Sequence, residues 1–206
     1  FFRFPWLKFR VNAPSSGYEI FAQINYTMNK KLKLSSRFKQ QVRQENPDDI
    51  ITGSGLETVD KQNYRIEISY SINDRFSLRN RAEMVRYQKG NSTYELGFLN
   101  YQDIIYKPLS SRLSGNIRFG IFDTESFNSR IYAFENDVLY SYSVPAYQGK
   151  GVRFYVNARY TLTRGFDIWL RYSLTGYYDQ KTVGSGNDQI DGNKRSDVRL
   201  QMRYQF

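Results

Sequence analysis

The segment DVRLQMRYQF, residues 197–206, carries the pattern that decides the predicted fold. Every second residue is apolar or aromatic, and each residue between them is polar or charged. Because successive side chains of a β-strand point to opposite faces, this alternation predicts a strand with one apolar face. That face carries Val198, Leu200, Met202, Tyr204 and Phe206.

The same alternation recurs along the chain, whereas no segment shows a helical period. The predicted strands are 18–28, 32–42, 64–72, 76–87, 94–106, 112–122, 152–162 and 166–178, and the phase is less regular in 76–87 and 94–106. Runs of about 9–13 residues suit a tilted strand that crosses a bilayer, and they exceed the roughly 5–6 residues of a typical strand in a soluble sheet.

The connections between these runs fall into two classes. Tight turns are predicted at 29–31, 73–75, 107–109 and 163–165, and longer polar loops at 46–62, 88–93, 123–130, 145–151 and 180–195. Short turns at one end of the strands and long loops at the other are typical of membrane β-barrels. The two classes alternate with one exception at 131–144, which disappears if residues 135–137 form a turn between two short strands. The count is then twelve strand segments instead of eleven, and we favour twelve.

Alternation on one face does not by itself separate a membrane barrel from a soluble β-sandwich. No run of about 18 apolar residues is present, which excludes a transmembrane helix. The mean hydropathy of −0.66 is low, but only alternate residues of a membrane barrel meet lipid. The 206 residues include 18 Tyr and 15 Phe, many near the ends of the runs, as in the aromatic girdles of barrels. We therefore predict an all-β fold, an antiparallel transmembrane β-barrel in contact with the outer-membrane lipid of a Gram-negative bacterium.

The final stripe of apolar residues also resembles the C-terminal recognition strand of bacterial outer-membrane proteins. Such a strand ends in an aromatic residue, has another aromatic residue two positions earlier, and continues in apolar two-residue steps. Phe206, Tyr204, Met202, Leu200 and Val198 match this pattern. The resemblance implies that the insertion machinery of the outer membrane is a partner of this strand.

The face opposite the apolar stripes is charged. Its predicted basic residues are Arg37, Arg43, Arg65, Arg79, Arg81, Arg118, Arg153, Arg159, Arg171, Arg199 and Arg203, and its predicted acidic residues are Glu19, Glu67, Glu83, Asp167 and Asp197. A basic side chain in the middle of a lipid-facing wall costs about 2–4 kcal/mol, so these residues are expected to line the lumen. The set is either a cross-strand ion-pair ladder that fills the barrel or a surface for anions. No nucleic-acid partner is expected, because the charges lack the clustered basic and aromatic platform of single-strand binders.

The chain contains no His and no Cys, although its net charge is +10. Their absence excludes Ser-His-Asp and Cys-His catalysis and any His metal site. The loop NDQIDGN, 187–193, has oxygen ligands, but their spacing does not fit an EF-hand. We therefore expect neither an enzyme nor a metal or cofactor. The stretch 142–151 breaks the alternation, and either an inward-folded or capping loop or ordinary turns would explain it.

A resemblance to a known group of proteins rests on three stretches. They are FRFPWLKFRVNAPSSG (2–17), RIYAFENDVLYSYSVPAYQGKG (130–151) and GSGNDQIDGNKRSDVRLQMRYQF (184–206). In these stretches the chain resembles the C-terminal β-barrel region of large outer-membrane proteins from Bacteroidota that carry N-terminal helix-hairpin-helix motifs and mostly have no assigned function. The resemblance implies that residues 1–206 form a single transmembrane barrel region, the C-terminal part of a longer chain that supplies further strands. It carries over no functional residues.

Two functions fit these observations. The first is a channel or transporter with a basic lumen that favours anionic or polymeric solutes. The second is a non-catalytic scaffold with a plugged lumen, whose long loops contact other subunits of an outer-membrane assembly.

Overall fold

Long antiparallel strands dominate the structure, a computed structural model that describes residues 1–8, 11–47 and 55–206. The long strands are β2 (Ser15–Thr27), β3 (Leu32–Glu45), β4 (Glu57–Ser71), β5 (Phe76–Lys89), β6 (Glu95–Tyr106), β7 (Leu113–Thr124), β10 (Lys150–Thr163), β11 (Phe166–Tyr177) and β14 (Lys194–Tyr204). The short strands are β1 (Phe2–Phe4), β8 (Ile131–Tyr132), β9 (Ala146–Tyr147), β12 (Thr182–Val183) and β13 (Ile190–Asp191). Within the described residues, the structure contains one helical element, a single 3-10 turn over Gly186–Asp188. No helix in them is long and apolar enough to cross a membrane.

Ten of the strands form one sheet in the order β1-β2-β3-β4-β5-β6-β7-β10-β11-β14. Every neighbouring pair in it is antiparallel. The sheet is not closed, because β1 and β14 do not pair with each other. The structure thus confirms the predicted antiparallel β-barrel architecture, in the form of a partial barrel.

The two faces of the sheet have the opposite character to those of a soluble protein. On the outer face, apolar side chains are exposed: Ile68 retains 40% of its accessible surface and Leu170 retains 47%. On the inner face, Arg118 and Arg171 are each only 1% exposed. A soluble sandwich would cover its apolar faces with a second sheet, and within the described residues no large sheet covers this one.

The predicted tight turns all lie at one end of the sheet. Two of these turns contain the same hydrogen-bond pattern. The side-chain oxygen of an Asn accepts hydrogen bonds from the backbone N–H groups two and three residues later. Asn29 accepts from Lys31 and Leu32, and Asn73 accepts from Arg75 and Phe76. Such Asn turns end one strand and start the next without a long connection.

The long connections lie at the other end of the sheet, as predicted, but their bounds differ. The loop expected over 46–62 is shorter, since β4 already begins at Glu57, and its central residues 48–54 lie outside the described residues. The loops expected at 123–130 and 145–151 belong to one connection between β7 and β10. Residues 125–149 of that connection are called the inward segment below.

The large sheet has ten strands in the described ranges, instead of the eleven or twelve segments expected. The difference lies in 131–144, where the twelve-strand count assumed two short strands around a turn at 135–137. There, β8 pairs with β9 in a separate two-stranded sheet, and residues 135–137 contact the inner face. The physical reason is that the two acidic residues of this stretch meet arginines of the large sheet.

The less regular phase of 76–87 and 94–106 also has a structural cause. Asn80, Asn100 and Gln102 interrupt the apolar outer face of β5 and β6. Asn80 donates to the Tyr101 carbonyl at 3.1 Å and Gln102 donates to the Arg79 carbonyl at 3.2 Å, so these amides are hydrogen-bonded within the sheet. On the inner face of the same strands, Val85 and Leu99 are fully buried.

Candidate functional site

The inner face brings the predicted basic residues together along the sheet. They project from β3 (Arg37, Arg43), β4 (Arg65), β5 (Arg79, Arg81), β7 (Arg118), β10 (Arg153, Arg159), β11 (Arg171) and β14 (Arg199, Arg203). Successive side chains of a strand point to opposite faces of the sheet, and each of these arginines occupies a position that points to the inner face.

The predicted acidic residues lie on the same face, and most of them are ion-paired. Glu19 contacts Lys39 at 2.9 Å, and Glu83 binds Arg65 at 3.0 Å and also Arg81. The remaining pairs are Asp167 with Arg159 and Arg203 at 3.0 Å each, and Asp197 with Arg199 at 3.0 Å and Arg171 at 3.5 Å. Within the described ranges Glu67 has no ion pair.

A buried carboxylate on β6, Asp103, binds arginines of the two neighbouring strands. Arg118 donates to both of its oxygens, at 2.5 and 2.8 Å, and Arg79 lies at 3.4 Å. The Arg118 guanidinium also stacks on the Tyr101 ring, 3.5 Å from its centroid, and donates to the Phe134 carbonyl of the inward segment at 2.7 Å. A two-pronged, charge-assisted contact of this kind fixes the orientation of both side chains.

The inward segment supplies a second buried carboxylate, Glu135. Arg153 donates to it through two nitrogens, at 2.6 and 2.8 Å, the Tyr147 hydroxyl donates at 2.8 Å, and Arg171 also donates to it. Burial alone would raise the pKa of Glu135, but the hydrogen bond and charge of Arg153, with Arg171 nearby, hold that pKa below its usual value. The pKa of Tyr147 is raised, first by burial and then by the negative charge of Glu135.

The next acidic residue of the segment, Asp137, binds the last strand of the sheet. Arg199 contacts its carboxylate at 2.5 Å, and Asn157 donates to its carbonyl at 2.9 Å. The carbonyl of Asn136 accepts from Arg171 at 3.2 Å. The inward segment therefore uses carboxylates and backbone carbonyls to bind guanidinium groups of β10, β11 and β14.

Apolar packing also holds the inward segment on the sheet. The cluster consists of Ile131, Ala133 and Tyr147 from the segment and of Val85, Leu99, Tyr101 and Phe122 from the sheet. Backbone approach is close at Gly97, where an added Cβ would lie 2.1 Å from the Ser129 carbonyl oxygen. Of the two interpretations of 142–151, the inward-folded loop is the one observed.

Beside the segment, the inner face of β3–β5 leaves a cavity of about 470 Å³, here called the basic cavity. Its charged lining consists of six basic side chains, Arg37, Lys39, Arg43, Lys61, Arg65 and Arg130, and one carboxylate, Glu83. Lys61 and Arg130 were not among the predicted residues. The first is tied to the segment through the Asn128 carbonyl at 2.6 Å, and the second belongs to the segment.

Sequence reasoning also missed Asp103, Glu135 and Asp137. Asp103 lies in a run where both faces mix polar and apolar residues, so its face was ambiguous. The alternation from Glu95 through Gly97, Leu99 and Tyr101 would have placed it inward. No local signal could have revealed the arginine partners of Glu135, because they lie on β10 and β11.

The predicted C-terminal stripe lies on the outer face of β14, except for Phe206, which is two residues beyond the end of that strand. Its five residues are Val198, Leu200, Met202, Tyr204 and Phe206, and each is more than half exposed. The other edge of β14 has no partner strand in the described ranges.

Comparisons with known proteins support the fold. No family model and no curated protein matches the chain. Among solved structures it is similar to an anion-selective porin from Comamonas acidovorans, with a TM-score of 0.58 at 12% sequence identity. The match covers 94% of this chain and 49% of the porin chain, so this chain spans about half the length of that porin. At this identity the likeness shows the fold alone, and that fold is a porin-like antiparallel β-barrel.

Proposed function

We propose that this chain is part of an outer-membrane β-barrel channel of a Gram-negative bacterium, with an interior that favours anions. The exposed apolar outer face suits contact with lipid, because no charged side chain interrupts its central band on strands such as β4 and β11. The charged inner face suits an aqueous interior.

The observation that carries the proposal is the charge of the basic cavity. Six basic side chains and one carboxylate line it, and that carboxylate already binds Arg65 and Arg81. A cavity lined by one sign of charge raises the local concentration of ions of the opposite sign. Rings of basic side chains select anions in pores by this effect. The porin that shares the fold is itself described as anion-selective.

The test is a conductance measurement on the full-length protein in a planar lipid bilayer. Under a potassium chloride gradient, we expect a reversal potential close to that of chloride. Neutralising two cavity residues together, Arg37→Gln with Lys61→Gln, should move the reversal potential towards zero. A cation-selective conductance, or no conductance from folded protein, would contradict the proposal.

A scaffold function is the second candidate, and a specific observation favours it. The inward segment covers the inner face of β6, β7, β10 and β11 and buries Glu135 completely, so this part of the interior is filled. A silent bilayer, together with partner subunits that copurify at fixed stoichiometry in mild detergent, would support a plugged scaffold over a channel.

We further propose that residues 1–206 are the C-terminal part of a larger barrel of the Bacteroidota helix-hairpin-helix group. The open sheet and the half-length match to a porin support the need for additional strands. Sequencing upstream of Phe1 in the gene tests this directly, because further alternating strands and a helix-hairpin-helix motif should precede it. We also propose that the stripe ending at Phe206 is read by the insertion machinery.

A further inference from the structure

The basic cavity differs from the rest of the inner face in how its charges are paired. Three of its basic side chains have a carboxylate partner: Arg65 binds Glu83 at 3.0 Å, Lys39 binds Glu19 at 2.9 Å and Arg43 binds Glu45 at 2.5 Å.

The other three basic side chains of the cavity contact neutral groups only. Arg37 donates to the Gln23 side chain at 3.2 Å, and Lys61 donates to the Asn128 carbonyl at 2.6 Å. Arg130 donates to the Tyr132 hydroxyl at 2.7 Å and stacks on the Phe127 ring, 3.5 Å from its centroid. Within the described ranges, no carboxylate forms an ion pair with these three side chains.

A second cavity on the inner face shows the contrast. It lies beside β10, β11 and β14 and is also rich in arginine. There, however, three of the four arginines are ion-paired: Arg153 binds Glu135, Arg171 binds Glu135 and Asp197, and Arg199 binds Asp137 and Asp197. The inward segment has already supplied the negative charge on that side, and it has not done so in the basic cavity.

The chemistry of the unpaired groups indicates the ligand. A guanidinium group matches carboxylate and phosphate oxygens with paired donors, and an ammonium group adds a compact point charge. A volume of about 470 Å³ lies within the range of about 300–1,000 Å³ for small-molecule sites. Three basic side chains without an ion-pair partner around one such volume favour a ligand with more than one negative charge.

We propose that the basic cavity is a binding site for a small multivalent oxyanion, a solute that bears two or more phosphate or carboxylate groups. The inference deepens the proposed function, because it names the class of solute that the channel would hold. Arg37 and Lys61 contact the ligand from β3 and β4, and Arg130 contacts it from the inward segment.

The test is calorimetric titration of the full-length protein in detergent, at fixed ionic strength, with inorganic pyrophosphate, citrate and acetate. We expect one saturable site that binds pyrophosphate or citrate more tightly than acetate, and the tighter of the two identifies phosphate or carboxylate as the preferred group. Lys61→Gln and Arg37→Gln should each weaken binding roughly tenfold, since each removes a charged donor. Lys61→Arg should retain most of it.

The matched control is Lys33→Gln. Lys33 lies on the inner face of β3, nearer the turn than Arg37 and outside the basic cavity, so its loss removes the same charge without removing a ligand contact. All variants are first checked for heat-modifiable migration on a gel, which shows that the barrel has folded. Equal binding of acetate and the multivalent anions, or equal weakening by Lys33→Gln and Lys61→Gln, would overturn the site.

Failure of the site and failure of the channel give different results. Anion-selective conductance without saturable pyrophosphate or citrate binding overturns the site and leaves the channel intact. Saturable binding by a protein that is silent in bilayers overturns the channel and retains the site. Where both proposals hold, pyrophosphate or citrate added to one chamber should reduce the chloride current, and less so for Lys61→Gln.

Discussion

Glu135 is the residue that ties the inward segment to the sheet most strongly. Its carboxylate is fully buried between Arg153 and Arg171. Glu135→Gln would leave the half-buried Arg153 guanidinium without a carboxylate and would remove one of the carboxylate partners of the buried Arg171, and breaking a buried ion pair in this way costs about 3–5 kcal/mol. We expect a loss of this size in the free energy of unfolding, measured by urea titration of the full-length protein in detergent with tryptophan fluorescence as the signal.

Glu19→Gln serves as the control for that experiment. Glu19 pairs with Lys39, and both side chains are about two-fifths exposed. Exposed pairs of this kind contribute about 0–1 kcal/mol. If the two substitutions had equal effects, the burial of Glu135 would not have the energetic weight assigned to it.

The pKa of Glu135 also predicts how stability depends on pH. Its value in the folded protein lies below the ordinary value of 4.5, because Arg153 and Arg171 favour the ionised form. A carboxyl group with a lowered pKa contributes stability that is complete above its unfolded pKa and is lost as the pH falls through the folded one. The inward segment should therefore loosen below about pH 4.5, which is seen as faster proteolysis within 125–149. Glu135→Gln should show a smaller change over the same pH range.

At the level of single residues, the sequence predicted which side of a strand a residue faces but not what it contacts. The parity of the alternation placed all eleven arginines on the inner face. It could not pair Arg118 with Asp103 or Arg171 with Glu135, because those pairs depend on strand register and on a distant connection. Alternation is a local property, whereas ion pairing across the sheet is not.

The inward segment is the element that sequence reasoning described least well. Its residues 131–144 alternate well enough to resemble strands. The carboxylates of Glu135 and Asp137 instead form ion pairs with arginines on the inner face of the sheet. The close approach at Gly97 is a second condition for its position, since a side chain there would occupy the place of the Ser129 carbonyl.

Gly97→Ala tests that condition. The added Cβ would lie 2.1 Å from the Ser129 oxygen, and overpacking of this kind costs about 1–3 kcal/mol. The open form of the segment should become roughly 5- to 30-fold more populated for a cost of 1–2 kcal/mol, measured as the rate of proteolysis within 125–149. The control is Gly176→Ala, whose Cβ would meet only the Val152 side chain at 3.7 Å. Unchanged proteolysis of Gly97→Ala would show that the segment is not held against β6.

On the scale of the whole molecule, the distribution of burial is inverted relative to a soluble domain, and this inversion was predictable. It follows from the length of the strands, the charge of one face and the aromatic residues near strand ends. On β2, Tyr18 and Tyr26 are eight residues apart, or about 27 Å at roughly 3.4 Å per residue. In a strand tilted by about 35–45° this separation spans about 19–22 Å along the bilayer normal, so the two tyrosines flank most of an apolar band about 25 Å tall.

The inversion makes a prediction about insertion of the full-length protein. Ile68 lies on the outer face of β4, between the aromatic residues Tyr64 and Tyr70 of the same face. Ile68→Arg should cost about 2–4 kcal/mol near the middle of the bilayer and reduce the heat-modifiable, folded fraction on a gel. Ser35→Arg, on the neighbouring strand, places the same side chain on the inner face directly opposite Glu67. It should insert as the unmodified protein does, because an opposite charge faces the new guanidinium group across the strand pair. Equal folded fractions for the two variants would mean that lipid does not cover the outer face.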